Sequence, residues 1–193
     1  VRYADDGNED VRTRRAGERG LAGLRKLHDR LRLQVNANKT AIAPAAGRNF
    51  LGYAFWYARG GQVKCAVAGK AKETFKQRIR CMTRRSGGRS LPEIAEQLRT
   101  YMPGWKSYFQ LAQTPQVFRG LDEWIRHRLR AVQLKHWRRG TTMYRELKAM
   151  GASDTDARKV AANSRCWWRN SRMRLNRALP IAYFDRLGVP RLS

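Results

Sequence analysis

The residues best placed to do chemistry in this chain of 193 residues are Asp5 and Asp6, adjacent carboxylates closing the run Val1-Arg2-Tyr3-Ala4-Asp5-Asp6. Basic residues dominate almost everything downstream. Paired acids in a cationic chain make sense as ligands of Mg²⁺, which bridges them to a phosphate that the basic surface has already drawn in. The same letters also suit an ordinary Asp-Asp turn at a strand end. A second chemical feature lies near the other terminus. Cys166-Trp167-Trp168-Arg169-Asn170-Ser171, with Arg165, Arg172, Arg174 and Arg177 around it, is the densest basic and aromatic cluster. Guanidinium groups neutralise phosphates and indole faces stack on unpaired bases. Trp105 and Trp124 read as core residues, whereas Trp167 and Trp168 suit packing and stacking equally.

Composition supports a polyanionic partner. Forty-one Lys+Arg against fifteen Asp+Glu give a formal charge of +26, a self-repelling balance that RNA or DNA would neutralise. No apolar run approaches the roughly 20 residues needed to cross a bilayer, so no membrane partner is expected. Six Trp, six Phe and seven Tyr supply a core, which excludes a disordered basic tail. Cys65, Cys81 and Cys166 lack CxxC spacing and form no zinc set with His28, His127 and His136. They read as free, mostly buried thiols of a cytoplasmic protein. No signal peptide is visible. The chain starts with Val inside a motif, so a longer parent protein is expected.

Charge is uneven: residues 1–68 hold 13 basic and 6 acidic side chains, residues 69–193 hold 28 and 9. The second part is expected to carry most of the nucleic-acid grip, with a boundary at Gly69-Lys70. Before it, Leu21, Leu24, Leu27 or His28, and Leu31 recur at helical spacing within 14–33. Phe50 to Tyr57 reads as one strand, Gly60-Gly61 as a hairpin turn and Gln62 to Val67 as the return strand. Gly52 inside the first strand suggests a close approach of another backbone. After it only helices are expected. Phe75, Ile79 and Met82 line one face of the first, leaving Lys72, Lys76, Arg78, Arg80, Arg84 and Arg85 for the rest. Ser90-Leu91-Pro92-Glu93 is a capping box that starts the next. Pro103-Gly104 is expected to turn the chain into a short helix from Trp105 to Leu111. A long helix then points Val117, Leu121, Trp124 or Ile125, Leu129 and Val132 inward, with Arg126, Arg128, Arg130 and Lys135 largely outward. Ser153-Asp154-Thr155-Asp156 caps a helix reaching Ala162.

Four ordered stretches resemble one family. Tyr3-Ala4-Asp5-Asp6 resembles the polymerase box of group II intron reverse transcriptase/maturases. Leu31 to Asn36 with Asn38-Lys39-Thr40, then Phe50 to Trp56, then Gly104-Trp105-Lys106-Ser107-Tyr108-Phe109 with Leu121-Asp122-Glu123-Trp124-Ile125, follow in the family's order. The resemblance implies an α+β chain: a palm remnant over 1–68 with short β-hairpins and one helix, an all-helical thumb or maturase-specific domain over 69–151, and a basic aromatic helical extension over 152–193. It implies RNA-directed DNA polymerase activity for the full-length family, with Asp5 and Asp6 as catalytic Mg²⁺ ligands. Phe50, Leu51, Gly52 and Tyr53 would form a primer grip. Intron RNA, template RNA and DNA primer would be the partners. The RNA contacts would come from Lys39, Lys72, Lys76, Arg80, Arg84, Arg85, Arg126, Arg130, Arg165, Trp168, Arg169, Arg172 and Arg174. Family enzymes also use a further palm Asp and nucleotide-binding fingers, which this sequence lacks, so the chain alone is expected not to polymerise. Gly7-Asn8-Glu9-Asp10 also departs from the apolar strand that the family places after its box. A non-enzymatic RNA-binding splicing factor is the main alternative, and a basic DNA-binding piece of a transposase a weaker one.

Overall fold

A computed structural model describes residues 2–3, 6–7, 9, 11–36, 40–44, 46–172 and 175–193, with only the backbone for 2–3 and 6–7. The chain forms two compact units, Val1–Arg48 and Asn49–Ser193. In the first, β1 (Arg2–Tyr3) pairs antiparallel with β2 (Asp6–Gly7), which sets Tyr3 opposite Asp6. Helix α1 (Arg14–Arg30) starts at Thr13, whose hydroxyl accepts from the Ala16 amide at 3.2 Å. Its leucine stripe does not become core. No α1 residue is buried, and Leu27 is 54 % exposed. Periodicity marks the face that wants burial, but it does not supply a partner for it.

The second unit opens with a three-stranded antiparallel meander of β3 (Asn49–Phe50), β4 (Tyr53–Tyr57) and β5 (Val63–Val67). The expected single strand over 50–57 is broken. Leu51 and Gly52 both take positive φ, 50° and 78°, and make a two-residue turn that pairs Phe50 with Tyr53. Gly52 does meet a close neighbour, but it is a side chain: a Cβ there would lie 3.1 Å from the Phe109 ring. Gly60-Gly61 forms the second turn, as the sequence suggests.

Seven helices follow among the described residues: α2 (Gly69–Met82), α3 (Leu91–Tyr108), α4 (Pro115–Trp137), α5 (Gly140–Ala149), α6 (Asp154–Ala162), α7 (Trp167–Asn170) and α8 (Ile181–Arg186). The Ser90 capping box forms with both of its bonds: the Glu93 amide donates to Ser90 Oγ, and the Ser90 amide donates to the Glu93 carboxylate. Ser153 caps α6 by accepting from the Asp156 amide at 3.1 Å. The turn expected at Pro103-Gly104 is absent, and α3 runs through both residues. Proline removes one backbone bond, but here it does so on an exposed face. On the other face Trp105 packs at a tilt against Phe75, with centroids 4.2 Å apart, and carries the helix onward.

Two cores result. Phe75, Ile79, Ile94, Leu98, Met102, Ile125 and Leu129 anchor the larger one, which Leu179, Phe184, Val189 and Leu192 close from the C-terminal segment. Leu134, Met143, Leu147, Ala157, Val160 and Leu175 form the smaller one, between the end of α4, α5 and α6. The meander docks on the larger core through Val67 and Tyr53, and the Gly69-Lys70 position therefore lies inside the second unit. Helix α5, which the sequence pattern did not reveal, is held against α6 by a glycine. A Cβ on Gly140 would lie 2.6 Å from the Ala161 carbonyl oxygen. Gly140→Ala should therefore lower stability by about 1–3 kcal/mol through forced backbone movement, read by chemical denaturation.

Candidate nucleic-acid interface

With Phe75, Ile79 and Met82 committed to the core, the four-residue ridge Lys72, Lys76, Arg80, Arg84 has to lie on another side of α2. On α4, Trp124 and Arg128 are likewise four apart. The two rows meet at the Trp124 ring, which carries Lys76 Nζ at 5.8 Å, the Arg80 guanidinium at 5.7 Å and the Arg128 guanidinium at 5.3 Å. Arg128 is fixed by the end of α2: its Nε donates to Thr83 Oγ1 at 2.7 Å and its NH2 to the Thr83 carbonyl at 3.3 Å. Next along the same region, Trp167 carries Lys135 Nζ at 4.2 Å and Arg85 at 5.6 Å. Trp168, 40 % exposed, lies against His127 with centroids 3.7 Å apart, and His127 Nε2 donates to the Trp168 carbonyl.

These cations crowd one another. Burial lowers the pKa of Arg128, and the charges of Arg85 and Arg80 push it further down. His127 is lowered by burial against the opposing pull of its bond to Trp168, with Arg172, Arg130 and Arg128 adding to the fall. Arginine stays protonated at neutral pH all the same. The aromatic faces stabilise each cation by about 0.5–2 kcal/mol without neutralising it. Glu73 pairs with Arg80 at 2.6 Å, but both side chains are about half exposed and such a pair contributes little. The face therefore keeps a concentrated positive charge with indole rings set into it, the combination that holds phosphates and stacks bases.

The structure brings Lys72, Lys76, Arg80, Arg84 and Arg85 together on α2 and its end. Arg165, Trp168, Arg169 and Arg172 are exposed at and beside α7. Arg126 and Arg130 are a correction: they are not outward but 7 % and 8 % exposed. The C-terminal segment covers that side of α4, and Arg130 Nε donates to the Leu179 carbonyl at 3.0 Å. Trp124, expected as core, serves both roles, packing on the larger core while offering its face to cations. The cysteines are free as expected, but Cys81 and Cys166 are exposed rather than buried.

Asp5, Lys39 and Arg174 lie outside the described residues, as does the Asp6 side chain. Among the described residues, no group of three or more His, Cys, Asp or Glu side chains could hold a metal. Phe50 to Tyr53 form a turn braced by α3: Tyr53 Oη donates to the Tyr108 carbonyl at 2.5 Å, and Tyr108 Oη donates to the Leu51 carbonyl at 3.0 Å. Sequence reading missed Arg128, Lys135 and Thr83 as parts of the site. The signal was present in the matching four-residue spacings of Lys76/Arg80 and Trp124/Arg128.

Residues 72–151, from α2 to the end of α5, match the sequence model of the group II intron, maturase-specific domain. The chain carries a group II intron maturase-specific domain. The match supports a maturase role, in group II intron splicing, and covers Lys76, Arg80, Trp124 and Arg128 of the cationic face but not α7. Comparison with curated proteins gave no match. The maturase-specific domain shares its larger core with segment 179–192, outside the matched residues. Among the described residues, no helix is long and apolar enough to cross a membrane.

Proposed function

We propose that the chain binds structured group II intron RNA through the face built from α2, α4 and α7, and that this binding serves intron splicing and mobility. The observation that carries the reading is the Trp124 ring with Lys76, Arg80 and Arg128 all within 5.8 Å of its centre, inside the residues matched to the maturase-specific domain. Three like charges around one indole repel each other in the free protein, and an RNA phosphate relieves that repulsion. As part of the same proposal, Tyr3-Ala4-Asp5-Asp6 relates the chain to RNA-directed DNA polymerases, with Asp5 and Asp6 as Mg²⁺ ligands and template RNA and DNA primer as further partners. The support for that part is the motif alone.

The test is a salt titration of the full chain against a structured intron RNA and against double-stranded DNA of equal length. Contacts to about six to nine phosphates should give a log–log slope of roughly −4 to −8, with RNA the tighter ligand. A flat salt response, or tighter binding to the DNA, would reject the reading.

A further inference from the structure

A separate groove of about 960 Å³ opens on the other flank of α4, between that helix and segment 171–182. One wall is cationic, with Arg126, His127, Arg130 and Arg172; the other is apolar, with Pro180 and Ile181. Two observations, one on each wall, bear on what the groove could hold. Arg126 is 93 % removed from solvent, being 7 % exposed, yet its Nε has no hydrogen-bond acceptor among the described residues. The carboxylate in its electrostatic surroundings, Asp185, is already held by Arg191. A buried guanidinium donor without an acceptor is costly, and an oxyanion would satisfy it. On the opposite wall Ile181 remains 46 % exposed, an apolar surface facing a charged one.

We infer that this groove takes a single unpaired nucleotide of the bound RNA, its phosphate on Arg126 and Arg172 and its base against Pro180 and Ile181. Inorganic phosphate alone would leave the apolar wall wet, and an apolar ligand would bury cations without a counter-charge. A duplex offers phosphates but keeps its bases stacked inside, so it cannot cover Ile181. Glu123, exposed at the rim, is outnumbered by the three guanidinium groups. Trp124 lines the groove and also carries the cations of the neighbouring face, so a strand crossing that face can drop one nucleotide into the groove. This inference rests on the RNA-binding reading for its ligand, but its contacts, Arg126, Arg172, Pro180 and Ile181, lie outside the Lys76–Arg80–Arg128 cluster that carries that reading.

The experiment is isothermal titration of the full chain with adenosine 5′-monophosphate, adenosine and inorganic phosphate. The variants Arg172→Gln and Ile181→Asp are chosen because both positions are exposed and should fold normally. The monophosphate should bind saturably, and adenosine or phosphate alone about tenfold or more weakly, since each fills one wall only. Each variant should weaken the monophosphate by about tenfold, one by losing a charge-assisted bond and the other by adding a carboxylate. A single-stranded oligonucleotide should displace it, whereas a blunt duplex should not. Equal binding by wild type and both variants would overturn the assignment, as would phosphate binding as tightly as the monophosphate, or displacement by the duplex. The two readings fail separately: structured-RNA binding without monophosphate binding sinks the groove alone, and monophosphate binding with a flat salt response to RNA sinks the face alone.

Discussion

Replacing Lys76, Arg80, Arg84 and Arg85 together with glutamine is expected to weaken structured-RNA binding by about 10²–10³-fold near physiological salt. Each lost phosphate contact removes the release of one condensed counterion, so the log–log salt slope should shrink by about three to four units. Stability should hardly move. Arg80, Arg84 and Arg85 are exposed, Lys76 is only half-buried, and surface changes of this kind stay within about 0.5 kcal/mol per site. Loss of the Arg80–Glu73 pair adds little, for the same reason of exposure. Arg78, also exposed but close enough to Tyr101 for its charge to act on that ring, is the control: Arg78→Gln should change affinity by less than about threefold. Filter binding over a salt series, with a thermal melt on each variant, is the measurement. Unchanged affinity in the fourfold variant would remove the α2 face from the interface. An early melt would make the charges structural instead.

How much of this was legible follows from the range over which each feature is decided. The Ser90–Glu93 capping box and the Ser153 cap are settled within four residues, and both formed as read. The core stripes of α2 and α4 are settled by periodicity alone, and Phe75, Ile79, Leu121, Leu129 and Val132 are buried accordingly. Pro103 was misread because a local rule lost to packing: one backbone bond given up at the surface is small beside the Phe75–Trp105–Phe109 aromatic contacts beneath it. Leu51 was misread for a different reason. A non-glycine residue at positive φ is costly in isolation and is accepted here because Tyr108 and Phe109 hold the turn from outside. Arg126 and Arg130 were misplaced because nothing in their own neighbourhood announces that a segment about 50 residues later lies across them. The basic-aromatic site was half legible: its charges stand out in the sequence, but the convergence of two helices on Trp124 is a tertiary fact.

The same long-range closure gives the second large effect, at Asp122. This carboxylate is 3 % exposed and faces the end of the chain, accepting from the Leu192 amide at 3.0 and 3.2 Å, the Ser193 amide at 2.9 Å and Ser193 Oγ at 2.8 Å. Side chains of α3 hold the same segment: Arg99 donates to the Gly188 and Leu187 carbonyls, and Lys106 to that of Arg191. The strap places Val189 and Leu192 into the larger core, so its release would expose apolar surface as well as break bonds. Asp122→Ala should cost about 3–5 kcal/mol, because charge-assisted bonds disappear and the buried Leu192 amide is left without an acceptor. Asp122→Asn keeps the shape and one acceptor oxygen, and should cost about half as much. Urea denaturation gives the magnitudes, and amide hydrogen exchange at Leu192 shows whether the strap is what has come loose. A chain lacking residues 190–193 provides the decisive comparison. If Asp122 acts through the strap, adding Asp122→Ala to that truncation should cost little more than the truncation alone, a coupling of about 2–3 kcal/mol in the double-mutant cycle. Additive costs would mean that Asp122 stabilises α4 independently, and the strap would then be held by Leu192 and the α3 side chains without it.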